Sequence, residues 1–253
     1  LAAELADTAV QVWGYGVGDV ADYPQQAVIA TSAKFDAQGI QATVSTPLGV
    51  GELKAPVLGR FNLHNLLAAL STLLAKGISL ASALTALQQV ETVPGRMQRV
   101  QVQGKAEGIL VVVDFAHTPT ALQQALRAAK AHTSGRLICV FGCGGDRDAG
   151  KRPVMAQIAE QEADLVIVTD DNPRTENPET IFANIRAGFA QPVAVHFEHQ
   201  RATAIRLAIQ QAQSGDTVVI AGKGHETVQL LADRSIPFDD RIQASLALQE
   251  CEA

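Results

Sequence analysis

Three cysteines among 253 residues leave little room for a disulfide framework. Cys139 and Cys143 show neither a Cys-x-x-Cys spacing nor a paired histidine motif, so they read as small buried residues rather than metal ligands, suited with Cys251 to a reducing cytoplasm. No apolar run approaches membrane-span length, no signal peptide is visible, and no membrane insertion is expected. No basic block offsets the net charge of −6, which argues against nucleic acid or an anionic membrane as partner. Repeats and low-complexity tracts are also missing. What remains is a chain 47% hydrophobic, long enough for one large domain or two ordinary ones.

Four apolar runs read as buried strands: Ile109–Val113, Leu137–Phe141, Leu165–Thr169 and Thr217–Ala221. Each is followed at once by a polar cluster: Asp114 to Pro119, Gly142 to Asp148, Asp170 to Arg174, and Gly222 to Glu226. Helix patterns over Thr118–Ala131, Lys151–Glu162, Pro178–Gly188 and Arg201–Ala212 separate them, with a further strand over Val193–Phe197 and a closing helix over Asp240–Glu250. This alternation predicts an α/β fold with a doubly wound, mainly parallel sheet. Such sheets bind ligands at the carboxyl ends of their strands, so the four clusters are expected to form one composite site.

Residues 1–95 differ in texture. Short strands over Ala27–Ala33, Gln41–Ser45 and Gly51–Pro56 predict a small antiparallel sheet, followed by helices over Asn62–Ala75 and Leu80–Val90, the second capped by Ser79. Asn62 is expected to be the first helix's N-cap, with Asn65 one turn on and free to bond a base edge. Thr92-Val-Pro-Gly95 reads as a hinge, making Arg96 a mobile cation between two domains, the kind of arginine that stabilises a transferring phosphoryl group. Leu1 falls inside what reads as a helix, so a longer natural N-terminus is expected.

The clusters carry chemistry by residue type. Gly145 to Arg152 almost spells a P-loop, but Arg152 stands where a hydroxyl should hold Mg²⁺, and the acidic loop would repel phosphate. Gly142-x-Gly144 is too short a match for a dinucleotide fingerprint, which leaves an NAD-dependent oxidoreductase without support. Pro173 stiffens the Asp171-Asn172-Pro173-Arg174 turn, and Arg174 offers a planar fork for a carboxylate. Together with Arg147, Asp171, Asn172 and Glu226 it would complement a small zwitterion with more than one carboxylate. Gly222 and Gly224 would permit close backbone approach to a ligand. Asp114 and His117 are less well explained by turn formation than Thr118 and Pro119, which start a helix.

These segments resemble the Mur ligases. The matching motifs are Gly59-x-Phe-Asn62-x-x-Asn65, Pro94-Gly-Arg96-Met97, Asp114-Phe-Ala-His117-Thr-Pro119, Phe141 to Asp148, Asp171-Asn-Pro-Arg174 and Gly222-Lys-Gly-His-Glu226. The nearest branch adds meso-diaminopimelate to UDP-N-acetylmuramoyl-L-alanyl-D-glutamate in peptidoglycan synthesis, with Asp-Asn-Pro-Arg as its marker; Phe115 departs from the family's usual tyrosine. The resemblance implies that 1–95 is the C-terminal part of a P-loop-type α/β ATPase domain and 96–253 a Rossmann-like amino-acid-binding domain. It implies Asn62 and Asn65 at the adenine, Arg96 at the phosphates, Asp114 near the ribose, and Arg96 and His117 as catalytic candidates. Arg147, Asp171, Asn172, Pro173, Arg174, Gly222 and Glu226 would take the amino acid.

The implied reaction is ATP-dependent: an acyl phosphate forms on the D-glutamyl carboxylate and the diaminopimelate amine displaces phosphate, with catalysis by positioning and charge neutralisation. ATP, the UDP-dipeptide and diaminopimelate are the implied partners, the cytoplasm the implied location, and a monomer the expected state. No metal ligand is assigned here; those for Mg²⁺ are expected upstream, so these residues alone are expected to be inactive. Two other readings stay open: a ligase of the Mur or folylpolyglutamate type for another amino acid, and a module that binds an amino acid without chemistry.

Overall fold

A computed structural model describes residues 11–23, 26–103 and 108–251. The expected helix around Leu1 lies outside them. The chain divides into two compact units, Leu1–Glu91 and Thr92–Ala253.

The first unit is a four-stranded sheet under two helices. Its strands are β1 (Gly14–Val17), β2 (Ala27–Asp36), β3 (Gly39–Thr46) and β4 (Gly49–Ala55), ordered β1-β2-β3-β4. β2, β3 and β4 form the expected antiparallel meander, and β1 adds a parallel edge that Gly-Tyr-Gly-Val does not advertise. Helices α1 (Arg60–Ala75) and α2 (Leu80–Leu87) bury Leu63, Leu66, Leu67, Leu70 and Leu84 against Val28, Val44 and Leu53. The chain leaves α1 through Lys76 and Gly77, whose φ of +82° suits glycine; Ile78 N donates to Leu73 O and Gly77 N to Leu74 O, closing the helix end. Ser79 caps α2 through Ser82 N, but α2 ends at Leu87 rather than Val90.

The second unit contains β5 (Gln98–Val100), β6 (Leu110–Asp114), α3 (Pro119–Lys130), β7 (Leu137–Phe141), α4 (Lys151–Glu162), β8 (Leu165–Thr169), α5 (Pro178–Arg186), β9 (His196–Glu198), α6 (Arg201–Gln211), β10 (Thr217–Ala221), the hairpin β11 (Val228–Leu230) and β12 (Ser235–Pro237), and α7 (Asp240–Glu250). Its main sheet has the order β5-β6-β10-β7-β8-β9, parallel except for β5. β6, β7 and β10 are fully buried and mostly Val, Ile, Leu and Phe, as expected for parallel strands covered on both faces. Helices α3, α4 and α5 pack in sequence, while α6 pairs with α7 over Val111, Val113, Ile138, Val140 and Ile220. The last parallel strand, β10, inserts between the first two, β6 and β7. The carboxyl ends of β6, β10, β7 and β8 therefore stand side by side.

One expectation needs correction. Val193–Phe197 is not a strand: Pro192–Ala194 forms a 3-10 turn, and pairing begins only at His196. Pro192 fixes its own φ and lacks the N–H a ladder needs.

At the opposite edge Asp216 ties the starts of β7 and β10 together. Its carboxylate accepts from Arg136 N at 2.7 Å, from Arg136 Nη2 at 2.7 Å and from Gln213 N at 3.0 Å. Burial alone would raise this carboxyl's pKa, but the Arg136 guanidinium and the two backbone N–H groups outweigh it and hold it below the ordinary value. Asp216→Asn should cost about 1–2 kcal/mol at pH 7, the Arg136 side being half exposed. A depressed carboxyl contributes fully above the unfolded value near pH ~4, and that contribution is lost as pH falls through the folded one. Urea unfolding from pH 7 down to 3 should show the gap between parent and variant closing in acid; a gap that widens would contradict this.

Candidate active site at the carboxyl edge of the parallel sheet

The loops after β6, β10, β7 and β8 interlock. The segment Pro94–Met97 docks on the first. Phe115 N donates to Gly95 O at 2.8 Å, Met97 N donates to Asp114 Oδ2 at 2.7 Å, and the Arg96 guanidinium lies 5.1 Å from the Phe115 ring centroid. Gly95 (φ +70°) has no room for a side chain, since a Cβ would stand 2.2 Å from His225 N. Arg96 is therefore not a mobile cation on a free hinge: its two neighbours are bonded to the end of β6, Gly95 packs against the loop after β10, and the guanidinium is exposed. Asp114 is buried and shares its carboxylate between Met97 N and Ala116 N; burial raises its pKa against the pull of these donors and of Arg96. It works first as a tie between β6 and the incoming segment.

Phe115 also contacts His117 and His225, with ring centroids 4.5 and 5.1 Å away. His117 Nδ1 lies 2.9 Å from Phe115 O. A carbonyl only accepts, so Nδ1 carries a proton, and Nε2 faces away from this contact on an exposed side chain.

The loops after β7 and β8 form one body. Gly145 N donates to Asn172 O at 2.9 Å, Thr175 N and Oγ1 donate to the Asp146 carboxylate, and Asp146 N donates to Glu176. Below them Arg152, fully buried, grips both oxygens of Glu176 at 2.6 Å and also donates to Asn184 and Gly144 O. The residue that spoils the P-loop pattern is thus a clamp. The glycines serve the same end: a Cβ at Gly142 would meet Thr169 O at 2.1 Å, and one at Gly145 would meet Pro173 O at 1.9 Å. Gly222 and Gly224 behave alike, abutting Asp171 and Phe115. Their close approach is to the chain's own loops rather than to a ligand.

Arg174 sits at φ +53°, its N donating to Leu230 O at 3.1 Å. Its Nη1 donates to Gly145 O at 2.9 Å, and among the described residues Nε and Nη2 meet no acceptor. One donor orients the fork and the remaining edge is open. Arg147 is exposed and, among the described residues, bonded only through Nη1 to Asp146 O. Pro173 is buried behind Arg174. Asp171 is buried, receives no hydrogen bond on its carboxylate among the described residues, and has its pKa raised by burial against the nearby cations Arg201 and Lys223.

Asn172 and Glu226 differ most from expectation. Asn172 Nδ2 donates to Glu226 Oε2 at 2.9 Å, and its Oδ1 accepts from Lys223 Nζ at 2.9 Å and Leu230 N at 3.0 Å. Asn172 is fully occupied inside the protein and cannot serve an ammonium group. Glu226 Oε2 accepts from Asn172 and Lys223, leaving Oε1 available. Burial works to raise the Glu226 pKa, but Asn172 and Lys223 bring it below the ordinary value, so it stays an ionised acceptor.

In the first unit Asn62 is not the helix cap: Gly59 holds that position at φ +91°, and Asn62 lies in the first turn with Nδ2 donating to Leu58 O at 2.8 Å. Asn65 Nδ2 donates to Asn62 Oδ1 at 3.1 Å, so the two amides pair and Asn65 stays exposed. Burial pushes the Cys139 and Cys143 thiols up to about 12, which leaves them unreactive. Among the described residues no three His, Cys, Asp or Glu side chains gather as metal ligands. No described helix is long and apolar enough to cross a membrane.

Four residues central to this edge escaped the motif reading. Lys223 is buried beneath Asn172 and Glu226; its place between two glycines after a buried strand was the available signal. Arg201 and Asp240 form a fully buried ion pair at 2.7 Å, 39 residues apart, with nothing in the sequence to join them. His199 bridges Asp170 and Glu179.

A doubly wound sheet with interlocked, charged loops at its carboxyl edge defines an α/β domain of the class whose ligands bind at that edge. Residues 95–224 match the family model described as "Mur ligase, glutamate ligase domain". The chain belongs to the Mur ligase family. It is 52% identical over 235 residues to the "UDP-N-acetylmuramoyl-L-alanyl-D-glutamate--2,6-diaminopimelate ligase" of Coxiella burnetii (strain RSA 493 / Nine Mile phase I), covering 93% of this chain and 47% of that protein. The protein of the same name from Ectopseudomonas mendocina (strain ymp) is 48% identical over 252 residues, 99% of this chain and 50% of that one. A solved structure of a ligase of this name aligns with a TM-score of 0.74 at 41% identity, over 88% of this chain and 45% of that chain. The chain thus spans about half the length of the curated relatives it matches.

Proposed function

We propose that the chain is the portion of an ATP-dependent amide ligase that receives the incoming amino acid, and that this amino acid is meso-diaminopimelate, added to UDP-N-acetylmuramoyl-L-alanyl-D-glutamate in peptidoglycan synthesis. The observation that carries this reading is the Arg174 guanidinium, oriented through Gly145 O with its Nε–Nη2 edge open at the sheet's carboxyl end. That edge suits the distal carboxylate of diaminopimelate, which lysine lacks. Arg147 supplies a second exposed cation, and Glu226 Oε1 and Asp171 supply acceptors for the distal ammonium. Asn172, Pro173 and Gly222 shape the site from behind rather than touching the ligand. His117 and Arg96 are both exposed beside the Phe115 ring, which supports a role for both where charge develops during acyl transfer. Asn65, steadied by Asn62, is the amide available to a nucleobase in the first unit. ATP is the energy source in this reading. The Mg²⁺ it requires would be held by residues outside the described ones, and no step is assigned to it here.

The test is product formation by the full-length ligase from the UDP-dipeptide, ATP and each of several diamino acids. Diaminopimelate-dependent phosphate release with a ligated product supports the reading. A preference for another amino acid would transfer the chain to a different specificity, and binding without turnover would favour the module without chemistry. Residues 1–253, which contain no complete P-loop motif, should form no product alone.

A further inference from the structure

His199 lies just beyond the proposed site, on the turn between β9 and α6. Its Nδ1 is 3.0 Å from Asp170 Oδ1 and its Nε2 is 2.9 Å from Glu179 Oε1. Asp170 follows β8 and directly precedes Asp171; Glu179 lies in the first turn of α5. The ring stacks on Phe182 of the same helix, with centroids 4.0 Å apart and planes 5° apart. Arg201, two residues on, adds its charge to the field at Asp170.

The proton count is decisive. A neutral imidazole carries one N–H, so with both carboxylates ionised the two contacts can both be hydrogen bonds only if both ring nitrogens are protonated; burial raises the Asp170 pKa, and the bond to His199 and the charges of His199 and Arg201 oppose it. An imidazolium satisfies both carboxylates and gains from the aromatic face beneath it. We propose that His199 is a positioning residue for the amino-acid site: as the imidazolium it locks Asp170 to α5, and so fixes where the Asp171–Arg174 turn begins. On the other side the Arg152–Glu176 clamp fixes where that turn ends. The two braces grip one segment, and Arg174 is carried between them. Burial works to lower the His199 pKa, but the bonds to Asp170 and Glu179 raise it above the ordinary value, in keeping with this geometry. The role in ligand positioning rests on the reading of the site given above; the protonation state does not.

The experiment has two arms. Ring ¹⁵N shifts of His199 should report an imidazolium at pH 7, with the midpoint moved down in Glu179→Gln. In the full-length ligase, His199→Gln should raise the KM for diaminopimelate about fivefold with kcat within about twofold, the size expected for one lost brace outside the contact layer. The parent's KM should rise as pH passes the His199 midpoint, the Glu179→Gln enzyme should show that rise at lower pH, and His199→Gln should lack it. A purely structural histidine would change thermal stability without this split or this pH response. A neutral ring at pH 7, or a His199→Gln enzyme with the parent's KM and pH profile, overturns the proposal. If the parent does not use diaminopimelate, the positioning role falls with the site reading whichever way the imidazole titrates.

Discussion

Asp240→Ala is expected to lower the stability of the second unit by about 3–5 kcal/mol, the cost of leaving one half of a buried ion pair alone. Arg201 and Asp240 are both completely buried. Nε and Nη2 of Arg201 meet the two carboxylate oxygens at 2.7 Å each, and Nη2 also reaches Ala221 O at the end of β10. Among the described residues Arg201 Nη1 already lacks a partner, so the guanidinium has no spare bond to fall back on when Asp240 goes. The other carboxylates in its field are Asp171, which is itself buried, and Glu226, whose Oε2 is already bonded to Asn172 and Lys223. Urea unfolding measures the loss. The double variant Arg201→Met, Asp240→Leu should recover most of it, because apolar side chains of similar volume replace a buried pair at little cost. A loss below about 1 kcal/mol in Asp240→Ala would contradict the assignment, since that is the worth of an exposed pair.

Arg174→Ala is expected to lower kcat/KM for diaminopimelate by about two to three orders of magnitude, corresponding to roughly 3–4 kcal/mol for losing the charged half of a bidentate contact. Arg174→Lys should recover little, because an ammonium cannot keep the bond to Gly145 O and present a planar edge at once. Lysine as the incoming amino acid should be barely affected by either change, having no distal carboxylate to lose. The ratio of kcat/KM for the two amino acids, measured in parent and variants, separates this from general damage. A variant that loses both substrates equally would show that Arg174 holds the loop and nothing more.

The fold was legible wherever one local rule acted alone. Leu137–Phe141, Leu165–Thr169 and Thr217–Ala221 are strands with the expected bounds because a run of four or five apolar residues ending in a polar turn has few other uses in a chain of this type. The helix starts at Thr118 and Ser79 followed from capping chemistry. The order of the strands was not legible. Nothing in the composition of β10 says that it slips between β6 and β7, yet that insertion sets the Gly222–Glu226 loop between the loops after β6 and β7.

In the candidate site the chemistry-bearing loops could be read, but the division of labour within them could not. Asn172 and Arg174 are two residues apart and look equally suited to a ligand. One is spent on Lys223, Leu230 and Glu226, partners more than 50 residues away, and the other keeps an open edge. Arg152 looked like a defect in a phosphate loop and is a clamp on Glu176. Glycines looked like room for a ligand and are room for neighbouring loops. Each misreading concerns a partner distant in sequence, which spacing and periodicity do not encode.

The central claim is that this edge selects diaminopimelate through its distal carboxylate. Calorimetric titration of the chain with meso-diaminopimelate and with L-lysine tests it most directly. The account predicts saturable heat with diaminopimelate, none with lysine, and loss of the diaminopimelate signal in Arg174→Ala. Equal binding of both amino acids would contradict it.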